Sequence, residues 1–552
     1  MGERETDVLI VGGGTGGTAA ALACARLGVR CVVVESTDWL GGQLTVQAVP
    51  PDENQWIEEF GGTRSYQELR RRVRRHYREH EAITAEAAAK ERLNPGGGWV
   101  SRLCADPRVW HKVIQDWLGE LDPRGLVTRL HGYEAAAVEM EGDRVRAVRL
   151  RSLAGGAEVV VKAKMVLDAT ELGDVYPLAG IEHTIGAEHA DLHGELHGRR
   201  DFPLAQKADW RDQQAISWCF ALEHEPGADH VVSRPADYEF WRGYVPNMTP
   251  AWTGPLFSWT VPSHSAEGKR TFEMIPWPEE PKAGQWEMWR YRRIVDRGLY
   301  RPEAQAAHPD VALINMVQMD YWQKPLLGVS AAEQAAALAG ARAQSLALLY
   351  WMQTEAPRHD GKGQGYPGLK LSAGTLGTAD GFAKAAYIRE PRRLIARTIV
   401  TEAHVGTEQR RQSGHATLAN NWEATRFGTA HRFEDSVGIG HYMIDLHPSC
   451  AGRNNVYVPA APFRVPMGSL IPVRVQNVLA AGKGIGVTHI TNGAYRMHHT
   501  EWNIGESAAV LAAHCLREAL EPQAVHEAVE RVHDVQRLLH EQGVRMSWPW
   551  EG

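Results

Sequence analysis

Three clusters of side chains in this chain could do chemistry. The densest is His441-Tyr-Met443-Ile-Asp445-Leu-His447. On a strand, alternate residues share a face, so His441, Met443, Asp445 and His447 would stand together. A carboxylate between two imidazoles fixes a tautomer and raises basicity, as a general base requires. The competing reading is a polar strand face of hydrogen-bonded histidines. The second cluster is Tyr495-Arg496-Met497-His498-His499. Arg496 could hold an anion or form a surface ion pair. Adjacent histidines on a strand point to opposite sides and no nearby acid completes a ligand set, so no metal site is expected. The third is Arg389 with Arg392, whose planar forks could bind a carboxylate bidentately or pair between domains. The catalytic candidates are therefore His447, His441, Asp445, Arg496, His498 and Arg389.

Such groups need something to position them and something to receive electrons or phosphates. The amino-terminal region offers a cradle. Gly12-Gly-Gly14-Thr-Gly-Gly17 follows the apolar run Asp7–Val11 and precedes an Ala-rich helix expected over Thr18–Leu27, closed by Gly28. A second strand is expected over Val29–Val34, ending in Glu35. Strand, G-x-G-x-x-G, helix, strand and acid in this order form a dinucleotide-binding fingerprint. Gly12 serves the sharp turn, Gly14 lets backbone approach a pyrophosphate, and Gly17 lets the helix pack on the sheet. The helix start offers free N–H groups to the phosphates. Glu35 would accept hydrogen bonds from a ribose and disfavour a 2′-phosphate, so FAD or NAD is preferred over NADP. A second pair, Gly41-Gly42 before Gln43-Leu44, points to another close approach of backbone to a ligand.

The elements around these clusters divide the chain. Residues 63–92 read as helical, with Arg70, Arg71, Arg72, Arg74, Arg75 and Arg78 followed by acids, which predicts a solvated face or subunit contact. A helix is expected over Pro107–Leu121. Residues 126–168 alternate in short runs, a β-meander returning to a strand that ends at Asp168-Ala-Thr170. Residues 201–330 are rich in proline and carry Trp210, Trp218, Trp241, Trp252, Trp259, Trp277, Trp286 and Trp289, which predicts an inserted antiparallel domain. Its tryptophans either fill a core or form a platform for a planar substrate. Residues 331–430 read as mainly helical, with a loop rich in Gly and Pro near 361–378. The expected units are 1–60, 61–125, 126–200, 201–330, 331–430 and 431–552.

Composition removes several functions. Sixty basic and 67 acidic residues leave a net charge of -7, against a general polyanion binder, so no nucleic-acid partner is expected. The six cysteines form no C-x-x-C pair, which argues against a redox dithiol, a zinc ribbon and common iron–sulfur spacings. They fit a reduced, cytoplasmic setting. No secretory signal is apparent, and the longest apolar stretch, Ala331–Met352, contains Glu333 and Arg342, so no membrane association is expected.

Beyond the fingerprint, further segments carry a resemblance. These are Gly41-Gly42-Gln43-Leu44; Val166-Leu-Asp168-Ala-Thr-Glu-Leu-Gly173-Asp174; and Tyr387-Ile-Arg389-Glu390-Pro-Arg392-Arg393. Asp435-Ser-Val-Gly438 with Asp445-Leu-His447-Pro448 is another, as is Asn477-Val-Leu-Ala-Ala-Gly482-Lys483 with Thr488-His489. Together they resemble the FAD-dependent oxidoreductases of the glutathione-reductase-like superfamily, and within it a large bacterial branch. The resemblance implies an α/β fold: a Rossmann-like FAD-binding domain with a β-meander plus an inserted α+β substrate or lid domain. It implies FAD, held non-covalently because Gly41–Leu44 has no His or Cys where succinate-type relatives attach it. The implied cofactor contacts are Gly12, Gly13, Gly14, Thr15, Gly16, Gly17, Glu35, Ser36, Gly42, Gln43, Leu44, Ala136, Ala169, Gly482, Lys483, His499 and Asn503. A helix starting near Met497–Asn503 would turn its positive end toward charge on the reduced flavin. The implied activity is hydride transfer from a small polar substrate (alcohol, sugar-like or amine) to flavin N5, with a base among His447, His441 and His498. The electron acceptor is open between oxygen, a quinone-like carrier and a protein, and a homo-oligomer is compatible. A reductase or monooxygenase, and a FAD-containing RNA- or peptide-binding protein, are the alternatives.

Overall fold

The computed structural model of the chain describes residues 2–263, 268–274, 286–414 and 428–551. Trp277 lies outside the described residues. The core sheet is built on β1 (Gly2–Val11), whose last four residues are almost wholly buried. Around it stand β2 (Cys31–Glu35), β3 (Val127–His131), β4 (Tyr133–Glu141), β5 (Arg144–Ser152) and β6 (Val159–Asp168) in the order β3-β2-β1-β6-β5-β4. β3, β2, β1 and β6 are parallel; β4 and β5 are antiparallel, so the meander shares the sheet. Strands covered on both faces read as continuous apolar runs, as Val8–Val11 does. The amino-terminal half of β6 pairs with β5, and its last residues pair in parallel with a strand from the far end of the chain, Val478–Ala480. This α/β, Rossmann-like sheet is the expected fold class.

The first helix, α1 (Thr15–Leu27), starts inside the glycine turn, three residues earlier than the apolar pattern indicates, and ends on left-handed Gly28. It packs against a long carboxy-terminal helix, His498–Glu518. Helix α2 (Arg64–His80) is the expected solvated face only in part: Arg71, Arg75 and Arg78 are exposed. Arg70 and Arg74 are buried and pair with Glu53 and Glu58. Helix α3 (Pro107–Leu121) matches its expected span, with Asp106 capping it and Pro107 in the first turn.

A second hydrophobic core lies within residues 215–388. Its sheet runs β8-β9-β7-β10, all antiparallel, from β7 (Phe220–His224), β8 (Arg293–Val295), β9 (Val311–Ile314) and β10 (Leu369–Leu371). Helix α4 (Ala331–Thr354) packs in this core, capped by a reciprocal Ser330–Glu333 pair. Trp241, Trp252 and Trp289 fill it, while Trp210 and Trp286 are exposed. Among the described residues of 331–430, expected to be mainly helical apart from a loop, there are this one long helix and two short ones, Glu402–Val405 and Thr407–Gln412. Between them the segment is chiefly loop because glycine and proline recur there. No helix among the described residues is long and apolar enough to cross a membrane.

Candidate active site

Two spaces share the segment 386–389 as a wall. The first is a cleft of about 320 Å³ at the carboxyl ends of β1 and β2. Gly12, Gly14, Glu35, Ser36, Gly42 and Ala169 line it. Gly12 has φ +101°, and a Cβ there would lie 2.3 Å from the Ala169 carbonyl oxygen. Glu35 accepts from the Gly13 N–H at 2.9 Å and the Thr37 N–H at 2.8 Å. Burial pushes its carboxyl up against those hydrogen bonds. No side chain caps the start of α1, which leaves N–H groups there for an anion.

Gly16 and Gly17 are packing residues. A Cβ on Gly17 would lie 1.9 Å from the Gly12 carbonyl oxygen, and one on Gly16 2.0 Å from that of Ala481. Gly42 approaches the first turn itself, its Cβ position 2.7 Å from Gly14 Cα, and Thr15 Oγ1 donates to Gly41 O at 3.2 Å. The second glycine pair thus locks two turns together, a role its spacing did not disclose.

The cleft has polar groups in wait. Glu171 Oε1 and Gln47 Oε1 are buried without a hydrogen-bond partner, and both residues line it. Lys483 is buried and pairs with Glu171. Glu501 is pushed up to about 7, by burial first and by the like charge of Glu171, against the pull of Lys483. Glycine backbone, an acid at the end of β2 and unfilled acceptors fit a dinucleotide such as FAD. Lys384, Trp218, Gln47 and Ala135 also line the cleft and escaped the sequence reading, since their partners are distant in the chain.

The second space is a pocket of about 130 Å³. Asp445 on β12 (Ile444–Leu446), preceded by β11 (Ser436–Gly440), lines it with Met443, His447, Arg389 and Arg496. His447 Nδ1 sits 2.6 Å from Asp320 Oδ2. Asp320 is buried, accepts from Ser217 Oγ at 2.5 Å and pairs with Arg389 at 3.0 Å. Burial opposes its charge, but Arg389 and His447 outweigh that and hold its carboxyl below the ordinary range. His447 Nε2 lies 3.6 Å from Asp445 Oδ2. Asp445 is held at about 2: burial opposes, and His447 and Arg496 prevail.

The boundary between cleft and pocket is a set of side chains. Arg496 Nη1 donates to the Tyr387 hydroxyl at 3.3 Å, that hydroxyl donates to Gln43 Oε1 at 3.1 Å, and Gln43 Nε2 donates to Arg496 O at 3.2 Å. Along the extended segment 386–389, Ala386 and Ile388 line the cleft while Tyr387 and Arg389 line the pocket.

Several expected site residues lie elsewhere. His441 precedes the strand, so period two does not carry it onto the pocket face; it meets Ala460 O and the Trp56 ring instead. His498 is fully buried outside the pocket, its Nδ1 accepting the Asp52 N–H at 3.1 Å. Arg389 has both terminal nitrogens committed to Ala215, Ser217 and Asp320, so it holds Asp320 and has no free fork for a carboxylate. Asn503 fastens the Val437–Ile439 backbone, His499 is enclosed, and Ala135 rather than Ala136 lines the cleft. Leu44 is buried in the main core, and Gly482 sits against Ala169 and Glu501. Among the described residues no group of three or more His, Cys, Asp or Glu could hold a metal.

A family model described as FAD dependent oxidoreductase matches residues 7–539. No curated protein matches. Among solved structures, the chain is similar to a geranylgeranyl bacteriochlorophyll reductase-like protein from Thermoplasma acidophilum, 11% identical, covering 99% of this chain and 85% of that one, with a TM-score of 0.34. It is also similar to THI4 from Thermovibrio ammonificans, 20% identical over 33% of this chain and 66% of that one, TM-score 0.22. A p-nitrophenol 4-monooxygenase from Pseudomonas putida is 18% identical over 41% of this chain and 48% of that one, TM-score 0.23. The chain spans less than two thirds of the length of these last two.

Proposed function

The chain belongs to the family of FAD dependent oxidoreductases and is a FAD-dependent enzyme, and on that premise we propose that it oxidises a small polar organic substrate bound in the Asp445–His447 pocket. The observation that carries this reading is the His447–Asp320 contact at 2.6 Å. Asp320 accepts the Nδ1 proton, which leaves the Nε2 lone pair for the pocket. There it takes the proton of a substrate hydroxyl or amine. The Asp320 charge steadies the imidazolium that results, and Arg389 keeps Asp320 ionised and in place. Bound FAD supplies a two-electron acceptor for the hydride. Arg496, tied to Asp445 O at 3.0 Å and to Tyr387, stands at the boundary where the two ligands meet. Attachment is non-covalent in this reading, since none of the described residues lining the cleft is His or Cys.

Anaerobic mixing of the FAD-loaded protein with panels of hydroxy acids, alcohols, sugars, amines and phenols tests the proposal. One class is expected to bleach the oxidised-flavin band. Bleaching by none, with reoxidation of the dithionite-reduced protein by an organic compound, would reverse the direction and make the enzyme a reductase.

A further inference from the structure

The pocket is charged in a way that selects its ligand. Arg270, Arg292, Arg389 and Arg496 line it against Asp52 and Asp445, with Asp320 directly behind His447 and Arg389. Among the described residues one positive charge is in excess. Unused donors accompany the charge. Arg292 Nη1, Arg389 Nε and Arg496 Nε are buried without a hydrogen-bond partner, and the nearest Asp52 oxygen is 3.7 Å from Arg292 Nη1. Arg389 and Arg496 are at most 3% exposed, so water does not meet that need. One acceptor is also unused: Asp445 Oδ1 is buried and unpartnered, while its Oδ2 lies 3.6 Å from His447 Nε2. Leaving buried donors unmade costs more than an average hydrogen bond gains, so a ligand that supplies an anion is favoured.

Size narrows the class. A cavity of about 150 Å³ takes one benzene ring, so about 130 Å³ takes a molecule of roughly six non-hydrogen atoms. Val261, Phe272, Met316 and Val317 give it an apolar side. A hexose, with twelve non-hydrogen atoms, exceeds that volume, and an ammonium substrate would meet the positive excess.

Resting on the reading of this pocket as the substrate site, we infer that the substrate is a small 2-hydroxy carboxylate. Its carboxylate lies against Arg292 and Arg496 and its hydroxyl lies between Asp445 and His447. In the reaction the C2–H bond breaks and its hydride passes to oxidised FAD. The hydroxyl proton passes to His447 Nε2, and the C2–O bond becomes the carbonyl of a 2-oxo carboxylate.

The test uses FAD-loaded protein and two readouts. Flavin-band perturbation is titrated with oxamate, a non-oxidisable carboxylate, and anaerobic bleaching is followed with lactate, lactamide, propane-1,2-diol and alanine. Oxamate is expected to perturb the band, and lactate to bleach it while the neutral and amino analogues do not. Arg292→Gln is expected to weaken oxamate about tenfold or more, the loss of one charged contact. Because that change strands Asp52, the Arg292→Gln/Asp52→Asn pair is measured beside it, and the same weakening is expected with a normal flavin spectrum. Oxamate binding with no bleaching by lactate supports the ligand class while removing the proposed direction of reaction. Bleaching by diol or alanine but not lactate keeps the oxidase reading and overturns the carboxylate assignment. No oxamate effect in either protein overturns it as well.

Discussion

Asp320, the carboxylate behind the His447 imidazole, is a residue that the sequence does not disclose. Asp320 sits 127 positions from His447, within Gln-Met-Asp-Tyr, a stretch with no periodic or motif signal. Only the antiparallel pairing of Ile216-Ser217 with Asp320-Tyr321 brings it behind the imidazole. His447, Asp445 and Arg496 were legible, because alternation along a strand and position ahead of a helix are local properties. His441 misled because the strand is only three residues long and begins after it. If Asp320 sets the His447 tautomer, Asp320→Asn should keep FAD and substrate affinity but slow flavin reduction by about 100-fold, within the range expected of general-base catalysis. Rapid-mixing rates across pH, with FAD content measured alongside, check this. Unchanged rates would leave Asp320 a structural residue only.

At the scale of elements, two helices and two glycine turns make the nucleotide cradle. The fingerprint, the meander and the return strand were readable from period and turn chemistry alone. The crossing of α1 with α5 (His498–Glu518) was not, since a lone Gly in a helix has many explanations. A Cβ on Gly505 would lie 1.9 Å from the Gly16 carbonyl oxygen, so the two helix backbones touch here. Gly505→Leu should force them apart, costing about 1–3 kcal/mol and loosening the turn that lines the cleft. Thermal melting and FAD retention on gel filtration measure both effects; a variant that melts normally with full FAD content would refute the close-contact argument.

In the whole molecule, buried charge ties distant segments together. Glu195 accepts from the Glu402 N–H at 2.9 Å and from Thr488 Oγ1 at 2.6 Å, joining three stretches of chain. Burial, reinforced by Glu188 and Glu402, raises its carboxyl to about 8. Its unfolded value is about 4, so folding favours the protonated form; the stability it gives is full below about pH 4 and lost as pH rises to about 8. Glu195→Gln should therefore flatten that part of the Tm–pH curve, with the largest gain over the natural protein near pH 9 and little near pH 4. A parallel pair of curves would contradict it. Network effects of this kind lie beyond sequence reading, because none of the three segments announces its partners.

The claim on which the rest stands is that His447 is the base beside bound FAD. Its most direct test is anaerobic rapid mixing of FAD-loaded natural protein and His447→Ala with a substrate that bleaches the flavin. The account predicts full FAD occupancy in both and bleaching slower by about 100-fold or more in the variant. Equal bleaching rates, or a purified protein that carries no FAD and takes none on reconstitution, would contradict it.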